Sequence, residues 1–153
     1  MYSKQEASLI RQKFWTSFGQ YMRPLPGSDG VPVTWLNYKT GNKYLYFKMD
    51  ADNKKAEIYV DFRFPNEILQ KEYFEKFEQL KKIFEDTVGE GWEWLPNYIN
   101  EFGNLNGRII KILHGVNIFN EADWPAIITF LKSNLVFIDE FWVSKKDIFE
   151  MIA

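Results

Sequence analysis

The sequence predicts an α+β fold with a mainly antiparallel sheet, and three observations carry that expectation. Residues 35–63 alternate apolar and polar side chains with period two. Stripes of helical period stand before this stretch, after it and at the end of the chain. A second pair of strand-like runs, residues 92–99 and 108–114, flanks a turn rich in Gly and Asn. A three-stranded meander plus a hairpin, punctuated by helices, gives the order α-βββ-α-ββ-α, with the helices packed on one face of the sheet. The 153 residues suit one domain, 1–153.

The chain begins with Ser3-Lys4-Gln5-Glu6, a capping box in which Ser3 caps and Glu6 reaches back. A helix follows to about Met22, with Ile10, Phe14, Phe18 and Met22 at i, i+4 spacing and Leu9 and Trp15 widening the stripe. Arg23-Pro24-Leu25-Pro26-Gly27-Ser28-Asp29-Gly30 ends it and reads as a connector.

The central stretch reads WLNYKTGNKYLYFKMDADNKKAEIYVDFR. Residues Asp50 to Lys55 are turn formers. Folding there sets Met49 opposite Ala56, Phe47 opposite Ile58 and Leu45 opposite Val60, all on one apolar face. The other face then pairs Lys48 with Glu57, Tyr46 with Tyr59 and Tyr44 with Asp61. A one-residue slip would destroy this segregation. The first turn, around Thr40-Gly41-Asn42, leaves two readings open. A two-residue loop places Trp35 on the Tyr46 face, and a three-residue loop places it on the Phe47 face.

Phe64-Pro65-Asn66 breaks the sheet pattern, and a helix is expected from about Asn66 to Val88, with Leu69, Tyr73, Phe77, Leu80 and Phe84 on one side. Its charges, among them Glu67 with Lys71, Glu72 with Lys76 and Glu78 with Lys82, read as a solvated face of i,i+4 pairs. Gly89 stops it, so Gly89-Glu90-Gly91 is a stop signal and not a phosphate cradle. Pro96 favours an edge position for the strand it sits in. Asn120 or Asp123 caps the last long helix, with Pro125 near its start and Trp124, Ile128, Leu131, Leu135, Ile138 and Trp142 as its stripe. Ser144 opens a short terminal helix with Ile148, Phe149 and Ile152, a tail expected to dock on the body or on another subunit.

Composition narrows the chemistry. Apolar residues make up 46% and aromatics 18%, so much of the core must be Phe, Tyr and Trp. The net charge is −2 and the pI about 5.5, so a nucleic-acid site must be a local patch. With no cysteine, thiol nucleophiles, disulfides and thiolate metal sites are excluded, and the single His114 rules out paired-histidine sites within one chain. No cofactor is expected. The N-terminus has no apolar signal region, and no run approaches the roughly 20 residues of a membrane span, so a cytoplasmic protein without a membrane partner is expected.

Two catalytic arrangements compete with structural explanations. Asp50, Asp52, Glu57 and Asp61 lie in a hairpin of the kind that holds Mg²⁺ in nucleases, but the acid-x-Lys tail is missing: Tyr59 follows Glu57 and Arg63 follows Asp61. His114 with Arg108, Lys111 and Glu121 suggests acid–base work, yet a lone histidine beside Gly115 at a strand end reads as structural. The stronger signal is the outer sheet face: Tyr44, Tyr46, Lys48, Tyr59 and Arg63, with Trp35 as a further candidate. Lys39 and Lys43 flank it, and Lys54 and Lys55 lie in the turn. Aromatics on an open sheet edged by cations can stack bases and hold phosphates.

The strings RQKFWTSFGQYM, TWLNYKTGNKYLYFKMDADNKKAEI, GEGWEW, ADWP and LVFIDEFW resemble an uncharacterised bacterial domain family of unknown function, over nearly the whole chain. Short members of that family stand alone, and in longer chains a similar domain follows a nuclease-like or restriction-associated domain. The resemblance therefore implies a link with nucleic acid, and the family supplies no catalytic residues to carry over. The expectation is a small binding module, an accessory in nucleic-acid transactions, whose partner is single-stranded nucleic acid or a nuclease-like protein. The alternative is a structural protein that uses the same face to form a homodimer, and the third reading is a degenerate metal-dependent nuclease.

Overall fold

The computed structural model describes residues 2–150. Helix α1 (Lys4–Met22) opens with the expected capping box: the Ser3 hydroxyl accepts from the Glu6 N–H, and Glu6 accepts from the Ser3 N–H. Phe14, Phe18 and Met22 are buried along one side of it, while Leu9 is exposed. Two hairpins follow, β1 (Leu45–Ala51) with β2 (Lys55–Phe62) and, later, β3 (Glu93–Ile99) with β4 (Leu105–His114). They join through β2 and β4 into a four-stranded antiparallel sheet of order β1-β2-β4-β3.

The fold class is the one expected, with one strand fewer than the expected meander. Trp35–Asn37 forms a 3-10 turn, not a strand. Trp35 is buried, and its indole N–H donates to the Leu25 carbonyl at 2.8 Å. The physical reason lies in the surrounding loop, which is tied by side chains to the last helix, α4 (Trp124–Glu150), and does not join the sheet's backbone ladder. The Ser28 N–H and the Tyr38 hydroxyl both donate to the Asp139 carboxylate, at 2.8 and 2.5 Å, and the Trp142 indole donates to the Thr40 carbonyl at 2.8 Å.

The β1–β2 register differs from the expected one by two residues. Ala51 faces Ala56, Met49 faces Ile58, Phe47 faces Val60 and Leu45 faces Phe62. Asp52 tightens the turn: its carboxylate accepts from both the Lys54 and Lys55 N–H groups, and its own N–H donates to the Lys55 carbonyl. Because side chains alternate with period two, a shift of two keeps every residue on its expected face. Leu45, Phe47, Ala51, Ala56, Ile58, Val60 and Phe62 are all buried.

The expected second helix is two helices, α2 (Glu67–Gln79) and α3 (Lys81–Val88), broken at Leu80. The break re-aims α3 so that Phe84 meets Phe141 of α4 at 5.1 Å and Trp92 at 5.3 Å. The ion pairs on the solvated face are Lys71–Glu75 and Lys82–Asp86, not the three expected pairs. At the other end, Asn120 caps a 3-10 turn that runs into α4. That helix continues through Ser144 without a second start, and Ile152 lies outside the described residues. Its end docks on the body: Phe149 is buried against Phe77 at 4.5 Å and Trp142 at 5.4 Å, and its carbonyl accepts from the Tyr73 hydroxyl.

The inner face of the sheet and the helices share one hydrophobic cluster. Gly107 on β4 shows how close the approach is: a Cβ there would sit 2.9 Å from Phe74 Cδ2 and 3.2 Å from Phe62 Cβ. No helix among the described residues is long and apolar enough to cross a membrane.

Candidate functional site: the outer sheet face

The sheet's second face is built by parity. On β1 it carries Tyr46, Lys48 and Asp50, on β2 Lys55, Glu57, Tyr59 and Asp61, on β4 Asn106, Arg108, Ile110, Ile112 and His114, and on β3 Glu93, Leu95 and Tyr98. Tyr46, Lys48, Glu57, Tyr59, Tyr98 and Ile112 are half-buried, and Arg63 beyond the end of β2 is exposed. Ile110 is 8% exposed yet stands outside the main core cluster, as expected of an apolar residue covered only by its neighbours on this face.

A buried carboxylate organises the face. Asp61 has no exposed surface and accepts three charge-assisted hydrogen bonds: from Arg63 Nε at 2.7 Å, Arg108 Nε at 3.0 Å and Arg108 Nη2 at 3.2 Å. Asp61 and Arg108 are cross-strand partners on β2 and β4, so backbone pairing sets the geometry before the side chains close. The two guanidiniums then lie on aromatic rings. Arg63 is 4.6 Å from the Tyr46 ring centre, while Arg108 is sandwiched between Tyr59 at 3.9 Å and Tyr98 at 4.1 Å. Lys48 reaches the Tyr46 ring at 5.4 Å. Burial lowers the Arg108 pKa, but the hydrogen bond and charge of Asp61 more than reverse this, and the guanidinium is held more firmly protonated than usual. Burial dominates at Tyr59 and pushes its phenol up, keeping it neutral.

Several expected site residues lie elsewhere or are arranged differently. Trp35 is not on this face but in the core, because its segment is a 3-10 turn. Tyr44 precedes β1 and leans on Phe64 at 5.4 Å, with Lys43 over its ring. Tyr46 faces Asp61 and Lys48 faces Tyr59, so the two tyrosines are diagonal neighbours instead of a direct pair. Arginine, not open space, covers each ring. Tyr98 and Arg108 complete the cluster and were not among the expected binding residues. Arg108 had a signal in the β4 alternation of Arg108, Ile110 and Ile112, but its partner on β2 is visible only once the two hairpins are joined.

The carboxylates of the nuclease-like arrangement have other partners. Asp61 is saturated by arginine, Asp52 caps the turn, Asp50 accepts from the Ala51 N–H, and Glu57 lies 3.7 Å from Lys55. No group of three or more side chains that could hold a metal ion occurs among the described residues. The acid–base set is likewise dispersed. His114 is exposed at the end of β4, Lys111 points to the opposite face toward Trp92, and Glu121 pairs with Lys13 at 2.9 Å.

At one end of the face lies a cleft of about 510 Å³, within the range of small-ligand sites. Its walls are Tyr59, Arg63 and Arg108 on the sheet, Phe64-Pro65 after β2, and the β3–β4 turn from Asn100 to Asn106. Gln70 braces this end: it accepts from the Phe64 N–H and donates to the Leu105 carbonyl. The Asn100 carboxamide oxygen accepts from the N–H groups of both Phe102 and Asn104, which fixes the turn and leaves the Phe102 ring 80% exposed at the rim.

A family model described as Domain of unknown function (DUF4268) matches residues 10–146. Neither the search of curated proteins nor the search of solved structures returns a match.

Proposed function

The chain belongs to the DUF4268 family, a domain family of unknown function, and we propose that it is a binding module whose outer sheet face takes single-stranded nucleic acid. The observation that carries this reading is the layer of Arg63 and Arg108 held flat on Tyr46, Tyr59 and Tyr98 by one buried Asp61. Guanidinium planes are surfaces on which unstacked bases lie, and the stacking is tolerant of sequence; Arg108 is filled on both sides by Tyr59 and Tyr98, so the open plane is that of Arg63 on Tyr46. Arg63 is tied to Asp61 through Nε, which leaves its outer nitrogens directed away from that bond and available to a phosphate. Lys48 stands one strand away.

The local charge is nearly balanced, because Asp50, Glu57, Asp61, Glu67 and Glu93 offset Lys48, Lys55, Arg63 and Arg108. Affinity should therefore be modest and fall gently with salt, since few counterions are released. Fluorescence anisotropy of a labelled single-stranded oligonucleotide, at low and moderate salt, tests the reading. Binding that weakens in Arg63→Ala and in Tyr46→Ala supports it, and no binding by the native protein at low salt refutes it.

A second reading rests on a separate observation. Ile68, Ile99 and Phe102 are 72%, 59% and 80% exposed around the β3 edge of the sheet, an apolar rim suited to a protein partner or a second copy. Size-exclusion chromatography with light scattering separates the two, because a dimer closed over this rim would elute at twice the monomer mass.

A further inference from the structure

We propose that the cleft beside the β3–β4 turn is a pocket for one unstacked base of that single strand, with Phe102 stacking on the base and the Asn106 amide reading its edge. This inference rests on the nucleic-acid reading of the outer face and adds a site that distinguishes bases to a surface that does not.

Three observations meet in the cleft. The first is an unpaired polar group. Asn106 is only 4% exposed and lines the cleft, and its amide nitrogen is buried with no hydrogen-bond partner. Buried side-chain amides are nearly always satisfied, so an unpaired one on a residue that lines a cavity points to a partner supplied by a ligand when the wall adjusts around it. A carboxamide offers a donor and an acceptor side by side, the pattern that matches the edge of a base.

The second observation is the exposed aromatic. Phe102 stands 80% exposed on a turn fixed by two bonds to Asn100 and by Gly103 at φ +79°. The backbone that carries this bare ring at the rim of a polar cleft is already fixed, so stacking would order only the side chain. The third is the opposite wall. Tyr59 and Arg108 continue directly from the stacking layer of the sheet into the cleft, and Arg63 lies at the boundary between them. A strand lying on the sheet could therefore turn one base inward while its phosphate stays beside Arg63. Glu67 and Glu101 on the rim accept hydrogen bonds but repel phosphate, which favours entry of the base over its backbone.

The test uses the full chain and five labelled eight-nucleotide single strands: four that differ only in one central base and one with an abasic site there. The native protein is expected to favour one base and to bind the abasic strand about tenfold more weakly, the effect of one lost stacking contact. Phe102→Ala should lower affinity for the four complete strands about tenfold and leave the abasic strand unchanged. Asn106→Leu, which removes the unpaired amide at similar volume, should level the affinities of the four. Equal native affinity for all five strands overturns the pocket while leaving the face reading intact. So does unchanged binding by Phe102→Ala when Tyr59→Ala is weakened; Phe102 is exposed, so this variant folds even if Asn106→Leu does not. Native protein that binds none of the strands overturns the face reading itself, and the pocket with it.

Discussion

Replacing Asp61 by asparagine probes the part of the face on which the rest depends. The substitution keeps the volume, removes the charge and presents two N–H donors where the carboxylate accepted. With the amide oxygen where Oδ2 stood, two of the three bonds survive, those from Arg63 Nε and Arg108 Nη2, and Arg108 Nε then faces a donor. A hydrogen bond to a charged group contributes about 1.5–3 kcal/mol, so losing that one bond costs at least this much before the lost charge is counted. Breaking a buried ion pair from one side costs about 3–5 kcal/mol by a separate route, because the Arg108 side chain, 9% exposed, keeps its charge without a partner. The first figure is a floor that leaves out the lost charge and the second includes it, so about 4 kcal/mol is expected, a large share of the stability of a domain this size. With a urea slope of about 2 kcal/mol per molar, the unfolding midpoint should fall by roughly 2 M. Arg63→Ala should cost less than about 1 kcal/mol, because that side chain is 40% exposed and its share of the pair is screened by solvent. Asp61→Asn combined with Arg108→Met should recover most of the loss, since no unpaired charge is left in the sheet. Urea unfolding of the four proteins decides the matter. If Asp61→Asn costs no more than Arg63→Ala, Asp61 is solvated and the arginine layer is not organised by it.

Other substitutions test separate links of the structure. Phe47→Ala should destabilise by about 3–5 kcal/mol, because Phe47 is buried between Tyr38 and Trp142 at 4.9 and 6.0 Å, while Lys54→Ala in the exposed turn should cost less than about 0.5 kcal/mol; chemical denaturation compares them. Gly107→Ala should cost about 1–3 kcal/mol in the same assay, since its Cβ would strike Phe74 and Phe62, and a neutral effect would mean that those two rings give way without cost. Burial, then the hydrogen bond to Asp139, raises the Tyr38 phenol well above its ordinary pKa of 10.0. A raised value means the folded state holds the proton longer, so this contribution is complete below pH 10 and is lost as pH climbs from there, by up to about 1.4 kcal/mol per unit. Stability measured from pH 9 to 11 should therefore fall less steeply in Tyr38→Phe than in the native protein.

What the sequence disclosed, and what it did not, follows from the range of each interaction. The capping box of Ser3 and Glu6, the α1 stripe and the two faces of the first hairpin are local, and period alone identifies them. The β1–β2 register slipped by two because the turn is set by one side chain, Asp52, while every residue in the hairpin fits either register by parity. Trp35 shares the alternation of a strand but not its fate, because the tie of Ser28 and Tyr38 to Asp139, more than 100 residues away, holds its loop off the sheet. The break at Leu80 has no glycine or proline to announce it and answers to the packing of Phe84 on α4. The same limit applied to the site. Tyr46, Lys48, Tyr59 and Arg63 were legible as one face, but that Arg108 covers Tyr59 depends on β2 meeting β4, a pairing between hairpins separated by two helices.

The most direct measurement of the central claim is a backbone amide NMR titration of the native protein with an unlabelled single-stranded oligonucleotide at low salt. The expected shifts fall on the outer face and the cleft, at Tyr46, Tyr59, Arg63, Tyr98, Phe102 and Arg108, and spare the exposed sides of α1 and α2. Shifts confined to the helices, or none at millimolar oligonucleotide, would contradict the assignment of this face to single-stranded nucleic acid.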